Sequence, residues 1–322
     1  MLEPEMAAFI ERSTTLYPAH QSASSPREQR EMYDRYAAAF TPPLPAGIVT
    51  QDAVFEAKAG HLIKLRLYRN DAQPGSAVRG TVLYFHGGGF VLGSLDSHQL
   101  VTARIAADTG LDVIAVDYRL APEHPAPAAH DDCLDVTLAA LNGRLPFKPF
   151  NTFGQPPHNP LQLAGDSAGA TLAASVAMRL RDDRVEGIHG LALIYPMLGT
   201  EPQMPARDTE AHAPMLTLAD VHAFRDFYWG KEPPYPAWTI PLDATRFNGL
   251  PPTLAAAVEH DPLRDDARVF IDRVNAAGGA GRLWIGAGLV HGCLRALESS
   301  PGAQALHREV CQFLRAHSSH AT

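Results

Sequence analysis

The segment 161–170, Leu-Gln-Leu-Ala-Gly-Asp-Ser-Ala-Gly-Ala, constrains the fold of this chain more than any other. It begins as an apolar strand, passes a serine flanked by Gly165 and Gly169, and continues into small residues typical of a tightly packed helix. A serine on so sharp a strand-to-helix turn has strained backbone angles, and small neighbours let the strand and the helix approach closely. The turn predicts that the Ser167 hydroxyl projects above a sheet edge, at a helix amino end that favours negative charge.

A second glycine-rich turn precedes this one. An apolar, β-rich run from Val82 to Phe85 leads directly into His86-Gly-Gly-Gly89. Consecutive glycines can turn backbone N–H groups toward a ligand, because no side chain stands in the way. Attack of a serine on an ester carbonyl produces an oxyanion, and one preorganised donor stabilises it by about 2.7–4 kcal/mol. The order of the two motifs therefore favours a hydrolytic site over a plain flexible glycine turn.

Length, charge and cysteine content narrow the class of protein. A chain of 322 residues suits one large α/β domain with an added subdomain, or two domains. The net charge of -8, with no basic tract, argues against nucleic acid as a partner. The three widely spaced cysteines form neither a disulfide framework nor a zinc pattern. With no signal-peptide profile and no membrane-spanning apolar run, we expect a soluble, cytoplasmic protein.

Strand and helix patterns alternate through most of the chain. Apolar runs such as 111–116 and 191–194 suit a parallel sheet covered on both faces by helices. Ligands of such sheets bind beyond the carboxyl ends of the strands, where both glycine motifs fall. The predicted strands are 81–86, 112–117, 161–165, 189–195, 253–258 and 282–286, after an antiparallel hairpin of 54–58 and 61–68; the predicted helices lie near 96–109, 126–142, 167–182, 263–277 and 302–316.

Three segments stand outside this alternation. Residues 1–45 contain helix-like apolar patches, interrupted by a Ser/Pro-rich break and closed by a proline-rich stretch. The stretch 197–240 holds several prolines, followed by a helix-like aromatic run over 218–229. Residues 145–160 are rich in Pro and Asn and predict a surface loop.

A nucleophilic serine needs a base, and the base needs a carboxylate to orient it. In a fold with this order of elements, the acid follows the next-to-last core strand and the histidine follows the last one. Asp261 lies in the loop after the strand at 253–258, and Glu259 is its rival. His291 lies before a glycine, just past the last strand, and this position favours it among the 15 histidines.

Other polar groups carry weaker signals. The histidines and carboxylates between His124 and Asp132 could form a metal site, but their spacing matches no usual ligand motif. An acidic helix start explains them better, and we expect no metal. Most remaining histidines are expected at the surface; they include His158, His307 and His320.

The residues around the expected site leave alternatives open. The aromatic residues Phe224, Phe227 and Tyr228 either line an acyl pocket or pack within a cap. Cys293 either reacts with thiol reagents near the site or is an inert buried thiol, and the second interpretation is favoured. Asp166, beside the serine, either tunes the nucleophile or braces its loop through hydrogen bonds, and the second interpretation is again favoured.

Taken together, the motifs resemble those of the hormone-sensitive-lipase family of α/β-hydrolases, in its microbial esterase branch. The matching segments span nearly the whole chain after residue 50: His86-Gly-Gly-Gly89, Asp117-Tyr-Arg-Leu-Ala-Pro-Glu-His-Pro125, Gly165-Asp-Ser-Ala-Gly169, Asp261-Pro-Leu263 and His291-Gly292.

This resemblance implies an α/β-hydrolase fold, with a mostly parallel central sheet, helices on both faces and a helical cap. Residues 1–45 would form an amino-terminal cap segment, and 46–322 the catalytic domain with a second cap segment inserted at about 197–235. The implied catalytic residues are the nucleophile Ser167, the base His291 and its orienting acid Asp261. Backbone N–H groups would form the oxyanion hole; their residues would be Gly87, Gly88 and Ala168.

The expected function is a serine carboxylesterase that acts on short- to medium-acyl esters through an acyl-enzyme, without a cofactor. The expected partner is a small-molecule ester, and a homodimer is left open. A small-molecule receptor or an amidase or lactonase on the same scaffold is the alternative. The chain departs from the family at Ala170, where glycine is frequent, and at Cys293, where a large apolar residue is frequent. We expect Cys293 to alter the pocket wall.

Overall fold

The computed structural model describes residues 1–17, 25–71, 80–147, 160–200, 204–231 and 233–318. Within these ranges, eight strands form one sheet. The strands are β1 (Ile48–Glu56), β2 (Leu62–Asn70), β3 (Thr81–Phe85), β4 (Asp112–Asp117), β5 (Leu161–Asp166), β6 (Ile188–Ile194), β7 (Thr253–His260) and β8 (Gly281–Val290). Their order across the sheet is β1-β2-β4-β3-β5-β6-β7-β8.

The sheet is mostly parallel, as predicted. Only β2 pairs with its neighbours β1 and β4 in antiparallel fashion, and the pairings from β4 through β8 are parallel. The β1–β2 hairpin is longer than predicted, because pairing extends to Ile48 and Asn70. The added part of β1 carries exposed polar residues, so its hydropathy pattern does not predict a strand. Its backbone hydrogen bonds to β2 show that it is one.

Helices cover both faces of the sheet. They are α1 (Pro4–Leu16), α2 (Pro26–Ala38), α3 (Gln99–Thr109), α4 (Ala128–Leu141), α5 (Ala168–Asp182), α6 (Pro205–Thr209), α7 (Leu218–Tyr228), α8 (Arg264–Ala276) and α9 (Pro301–Ala316). One apolar core joins the sheet to α4, α5 and α8, and a second core joins it to α1, α3 and α9. Among the described helices, none has the length and apolarity that a membrane span requires. The predicted loop at 145–160 falls largely outside the described residues.

Helix α2 packs on the loops that follow β3 and β4. The guanidinium of Arg30 donates to the carbonyl oxygens of Val91 and Ala121, and it forms a salt bridge with Glu123. On the same side, the Ser94 hydroxyl donates to Asp34 at 2.8 Å. These contacts hold α2 beside the loop that begins with the glycine run.

The segment after β6 is fastened to α8 by a buried carboxylate. Asp266 accepts hydrogen bonds from the backbone N–H groups of Leu198 and Gly199 and from the guanidinium of Arg207, and both side chains of this ion pair are almost fully buried. Burial raises the pKa of Asp266 to about 6, even though Arg207 and the two N–H donors act to lower it. The ion pair is therefore the electrostatic link between this segment and the core.

Replacing Arg207→Met should destabilise the protein by about 3–5 kcal/mol at pH 8, because it leaves the Asp266 carboxylate buried without its cation. The folded-state pKa of Asp266 lies above its ordinary value, so protonation favours the folded state and the penalty should shrink between pH 8 and pH 5. Urea unfolding at both pH values measures the difference. Arg225→Met is the control, because Arg225 pairs with the more exposed Asp226 and should lose less than about 1 kcal/mol. Equal losses in the two variants would contradict the prediction.

Candidate active site

Ser167 lies at the sharp turn between β5 and α5. Its φ of 54° and ψ of -121° place it in a region that residues with side chains rarely occupy. Its N–H donates to the carbonyl oxygen of Ile194 on the neighbouring strand, which helps hold the turn. A methyl group on Gly165 would overlap Gly169, and one on Gly169 would overlap the carbonyl of Phe85. The two flanking glycines therefore let β5, β3 and α5 meet closely enough to fix the serine above the sheet.

Asp261, His291 and Ser167 form a continuous hydrogen-bonded chain. The Nδ1 atom of His291 is 2.7 Å from the Oδ2 atom of Asp261, and its Nε2 atom is 2.8 Å from the Oγ atom of Ser167. A carboxylate can only accept, so the proton of the neutral imidazole sits on Nδ1. The lone pair of Nε2 is then free to accept the serine proton, as general base catalysis requires.

Strand register explains how the acid and the histidine meet. In the parallel β7–β8 pair, His260 lies opposite Val290, after a bulge that begins at Val258. Asp261 and His291 are the next residues, so they leave the sheet side by side. The remaining oxygen of Asp261 accepts the N–H of Leu263 at 2.8 Å, and the carboxylate is fully buried. Its orientation is thereby set by the backbone as well as by the histidine.

The rival carboxylate Glu259 has a different environment. It accepts the N–H of Gly288 at 2.6 Å, and this hydrogen bond lowers its pKa. Its side chain is 38% exposed, and the amino group of Met1 lies 4.0 Å away. Glu259 therefore braces the β7–β8 edge and the chain terminus rather than the imidazole of His291.

The glycine loop differs from the sequence prediction at Gly87. Its N–H donates to the Oδ1 atom of Asp166 at 3.1 Å, so this donor is already engaged, which disfavours the predicted role of Gly87 as an oxyanion donor. Gly88 and Gly89 have φ values of 120° and 60°, and within the described residues their N–H groups have no acceptor. Ala168 is the first residue of α5, where helix geometry leaves the N–H without a partner. Gly89 belongs to the glycine run that the sequence singles out, but it is not among the donors expected from the sequence.

Asp166 organises the glycine loop from below. Besides Gly87, its carboxylate accepts the Tyr84 hydroxyl at 2.7 Å and lies 3.5 Å from the Nε2 atom of His98. Burial raises the pKa of Asp166, but His98 and the Tyr84 hydrogen bond outweigh this effect and the pKa falls to about 2. The carboxylate therefore stays ionised. Bracing of the loop through hydrogen bonds, the favoured interpretation of Asp166, matches this geometry.

His86 and Tyr118 complete the support of the loop. The two rings stack with centroids 4.3 Å apart, and the Tyr118 hydroxyl donates to the carbonyl oxygen of His86. Burial lowers the pKa of His86 to about 3, so the ring remains neutral. Nothing in the sequence motif alone distinguishes this structural role of His86 from a catalytic one.

The four predicted pocket residues lie in different environments in the structure. The ring of Phe224 lies against Gly89, where any side chain on the glycine would overlap it. Phe227 points outward with 47% exposure. Tyr228 is fully buried, with its hydroxyl 2.6 Å from the Nδ1 atom of His130, and Cys293 is also fully buried. The burial of Tyr228 and Cys293 disfavours the prediction that their side chains line the pocket.

The thiol of Cys293 lies in an apolar environment. Burial raises the pKa of this thiol well above its usual range, which favours the unreactive protonated form.

The polar residues between 124 and 132 have other partners. Asp132 is paired with Arg119 and with His61, at 2.7 Å in each case. Asp132 therefore serves ion pairs, and His130 packs among aromatic rings.

Comparisons with known proteins agree with this architecture. A family model described as alpha/beta hydrolase fold matches residues 82–295. The esterase LipI of Mycobacterium tuberculosis is 37% identical over 246 residues, covering 75% of this chain and 73% of that protein. An ethyl acetate hydrolase of Pseudomonas putida is 29% identical over 311 residues, covering 91% of this chain and 92% of its own. A solved hyperthermophilic esterase from Pyrobaculum calidifontis has a TM-score of 0.86 at 26% identity, covering 98% of both chains.

The different contacts of Asp261 and Glu259 allow a direct test of which carboxylate orients His291. Asp261→Asn should lower kcat for an ester by about 10⁴-fold, because an amide no longer favours the imidazole tautomer with its proton on Nδ1. Glu259→Gln should retain most of the activity, because Glu259 contacts Gly288 and not the imidazole. Steady-state kinetics of the two variants, with circular dichroism as a check of folding, distinguishes them. A large loss in the glutamine variant alone would assign the acid to Glu259.

Proposed function

The chain belongs to the hormone-sensitive-lipase family of α/β-hydrolases, and from this premise we propose that it hydrolyses short- to medium-acyl carboxylic esters through an acyl-enzyme. It is a carboxylic-ester hydrolase, as its esterase relatives indicate. The observation that carries the proposed mechanism is the hydrogen-bonded chain from Asp261 through His291 to Ser167.

The first half of the proposed reaction acylates the serine. Ser167 Oγ attacks the ester carbonyl carbon while its proton passes to Nε2 of His291. The carbonyl oxygen becomes negative and is stabilised by the N–H groups of Gly88, Gly89 and Ala168. Collapse of this intermediate breaks the bond to the alcohol oxygen, and the alcohol leaves with the proton from Nε2.

The second half releases the acid. His291 accepts a proton from water, and the water oxygen attacks the acyl carbon bound to Ser167 Oγ. The same N–H groups stabilise the second oxyanion, and the proton returns from Nε2 to the serine oxygen as the carboxylic acid departs. Asp261 accepts from Nδ1 throughout and stabilises the imidazolium that forms in each half.

The cap segments predicted at 1–45 and about 197–235 fit this proposal. Helix α2 is docked on the loop after β3, and α7 brings the Phe224 ring against Gly89. A ring beside a proposed oxyanion donor limits the room for the acyl chain, which favours small esters. The relative named ethyl acetate hydrolase, which spans nearly the whole chain, supports the same substrate class.

Ser167→Ala should abolish covalent labelling by an organophosphate and lower ester turnover by about 10⁴-fold or more, because no other group supplies the nucleophile. Intact-mass measurement after labelling, followed by peptide mapping, locates the adduct. Parallel assays with a matched anilide and a lactone separate ester from amide or lactone chemistry. A label on another residue, or full turnover by the alanine variant, would overturn the proposed mechanism. A folded wild-type protein that binds esters without turnover would favour the receptor alternative.

The position of Phe224 predicts acyl-chain selectivity. Phe224→Ala should raise kcat/KM for decanoate relative to butyrate esters, because removal of the ring opens space beside Gly89. One methylene in an apolar pocket corresponds to about 10-fold or more in discrimination, so the ratio should shift by at least that factor. Phe227→Ala is the control from the same helix, and its outward ring predicts an unchanged ratio. The selectivity assignment fails if both variants shift the ratio equally.

A further inference from the structure

Three potential metal ligands meet on the side of the molecule formed by α3 and α9. Asp108 lies in the last turn of α3, and His307 and Cys311 lie one turn apart on α9. Residues four apart on a helix share one face, so the imidazole and the thiol point the same way. The expectation that His307 is a surface group is wrong: its ring is buried between the helices, with 5% exposure.

The donor atoms of these residues lie close together. The Nε2 atom of His307 is 2.7 Å from the Oδ2 atom of Asp108 and 3.3 Å from the Sγ atom of Cys311. All three donor atoms lie within 4.8 Å of one another. In a tetrahedral zinc site, Zn–N, Zn–O and Zn–S bonds of about 2.0–2.3 Å put donor atoms about 3.3–3.6 Å apart. A small rotation of the exposed Asp108 side chain would open the site to that spacing.

We propose that Asp108, His307 and Cys311 bind one Zn²⁺ ion, with water as the fourth ligand, and that the ion fastens the C-terminal helix α9 to α3. One nitrogen, one sulfur and one oxygen donor form a set that this borderline-soft ion accepts. Binding releases the thiol proton to solvent, and the thiolate and carboxylate then balance the charge of the ion. Asp108 is 47% exposed, so the ion and its water ligand have a path from solvent.

The surrounding charges permit this site. Arg104, which lies near Asp108, is paired with Glu298 at 2.6 Å. The hydrogen bond that Arg315 donates to Asp108 goes to the backbone carbonyl oxygen and not to the carboxylate. The competing explanation is a plain His307–Asp108 hydrogen bond with an adjacent, uninvolved thiol. The two explanations differ in whether sulfur contacts an added metal ion.

Cobalt(II) titration of the full-length, EDTA-treated protein tests the proposal, because a cobalt–thiolate bond produces a near-ultraviolet charge-transfer band. We expect the band to saturate at one equivalent and to disappear when Zn²⁺ is added. Cys311→Ser should eliminate the band. Asp108→Asn should weaken cobalt binding by about 10-fold or more, while its amide can still accept from His307 and preserve the fold. Cys133→Ser, which removes another fully buried thiol, is the matched control and should keep the wild-type band.

A thermal shift gives a second measurement. Zn²⁺ should raise the Tm of the wild-type protein and of the Cys133→Ser variant, and it should not raise the Tm of the Asp108→Asn variant to the same degree. Absence of a charge-transfer band in the folded wild-type protein would overturn the proposal. A band that persists in Cys311→Ser, or one that is lost equally in Cys133→Ser, would do the same. Should Cys311→Ser fail to fold, the cobalt affinity of Asp108→Asn decides the question.

Discussion

The positive φ of Ser167 is the constraint on which the rest of the site depends. The serine can hold this conformation only if β3, β5 and the first turn of α5 approach until their backbones touch, and side chains at Gly165 and Gly169 would prevent that approach. The strain is compensated by the hydrogen bond to Ile194 and by the packing of α5, which is buried along nearly its whole length. The hydroxyl then stands above the sheet edge, where the loops after β3, β7 and β8 can reach it.

Around this fixed serine, a buried negative charge arranges the neighbouring loop. The ionised Asp166 directly precedes Ser167 and accepts the N–H of Gly87, so the strand that presents the serine also positions the glycine run. The N–H groups of Gly88 and Gly89 have no acceptor within the described residues, which is why they are the proposed oxyanion donors. A carboxylate with hydrogen bonds from Tyr84 and Gly87, and with His98 close by, is well compensated for its burial. The position of the proposed oxyanion site thus depends on a charge that never contacts the substrate.

The sequence predicted the order of the elements, because apolar runs and glycine turns are local signals. It also predicted that Asp261 and His291 leave adjacent strands, and the register of β7 with β8 places them side by side. What it could not predict is pairing between groups distant in sequence. The hydrogen bond between Gly87 and Asp166, the contact of Tyr228 with His130, and the burial of His307 all depend on tertiary packing. Aromatic residues three or four apart can face either a pocket or the core, and only the packing of α7 separates the two.

Arg295 connects helix α2 to the loop that carries His291. It lies in the short helical turn that follows His291, and its guanidinium donates to the Ser97 carbonyl and to the Tyr33 hydroxyl at 2.8 Å. The same group lies over the rings of Tyr33 and Tyr36, an arrangement that planar, weakly hydrated guanidinium favours. Displacement of α2 would therefore leave a partly buried cation without these partners, at a cost that opposes the movement. Through Arg295, helix α2 and the turn that follows His291 are thus held together by direct contacts.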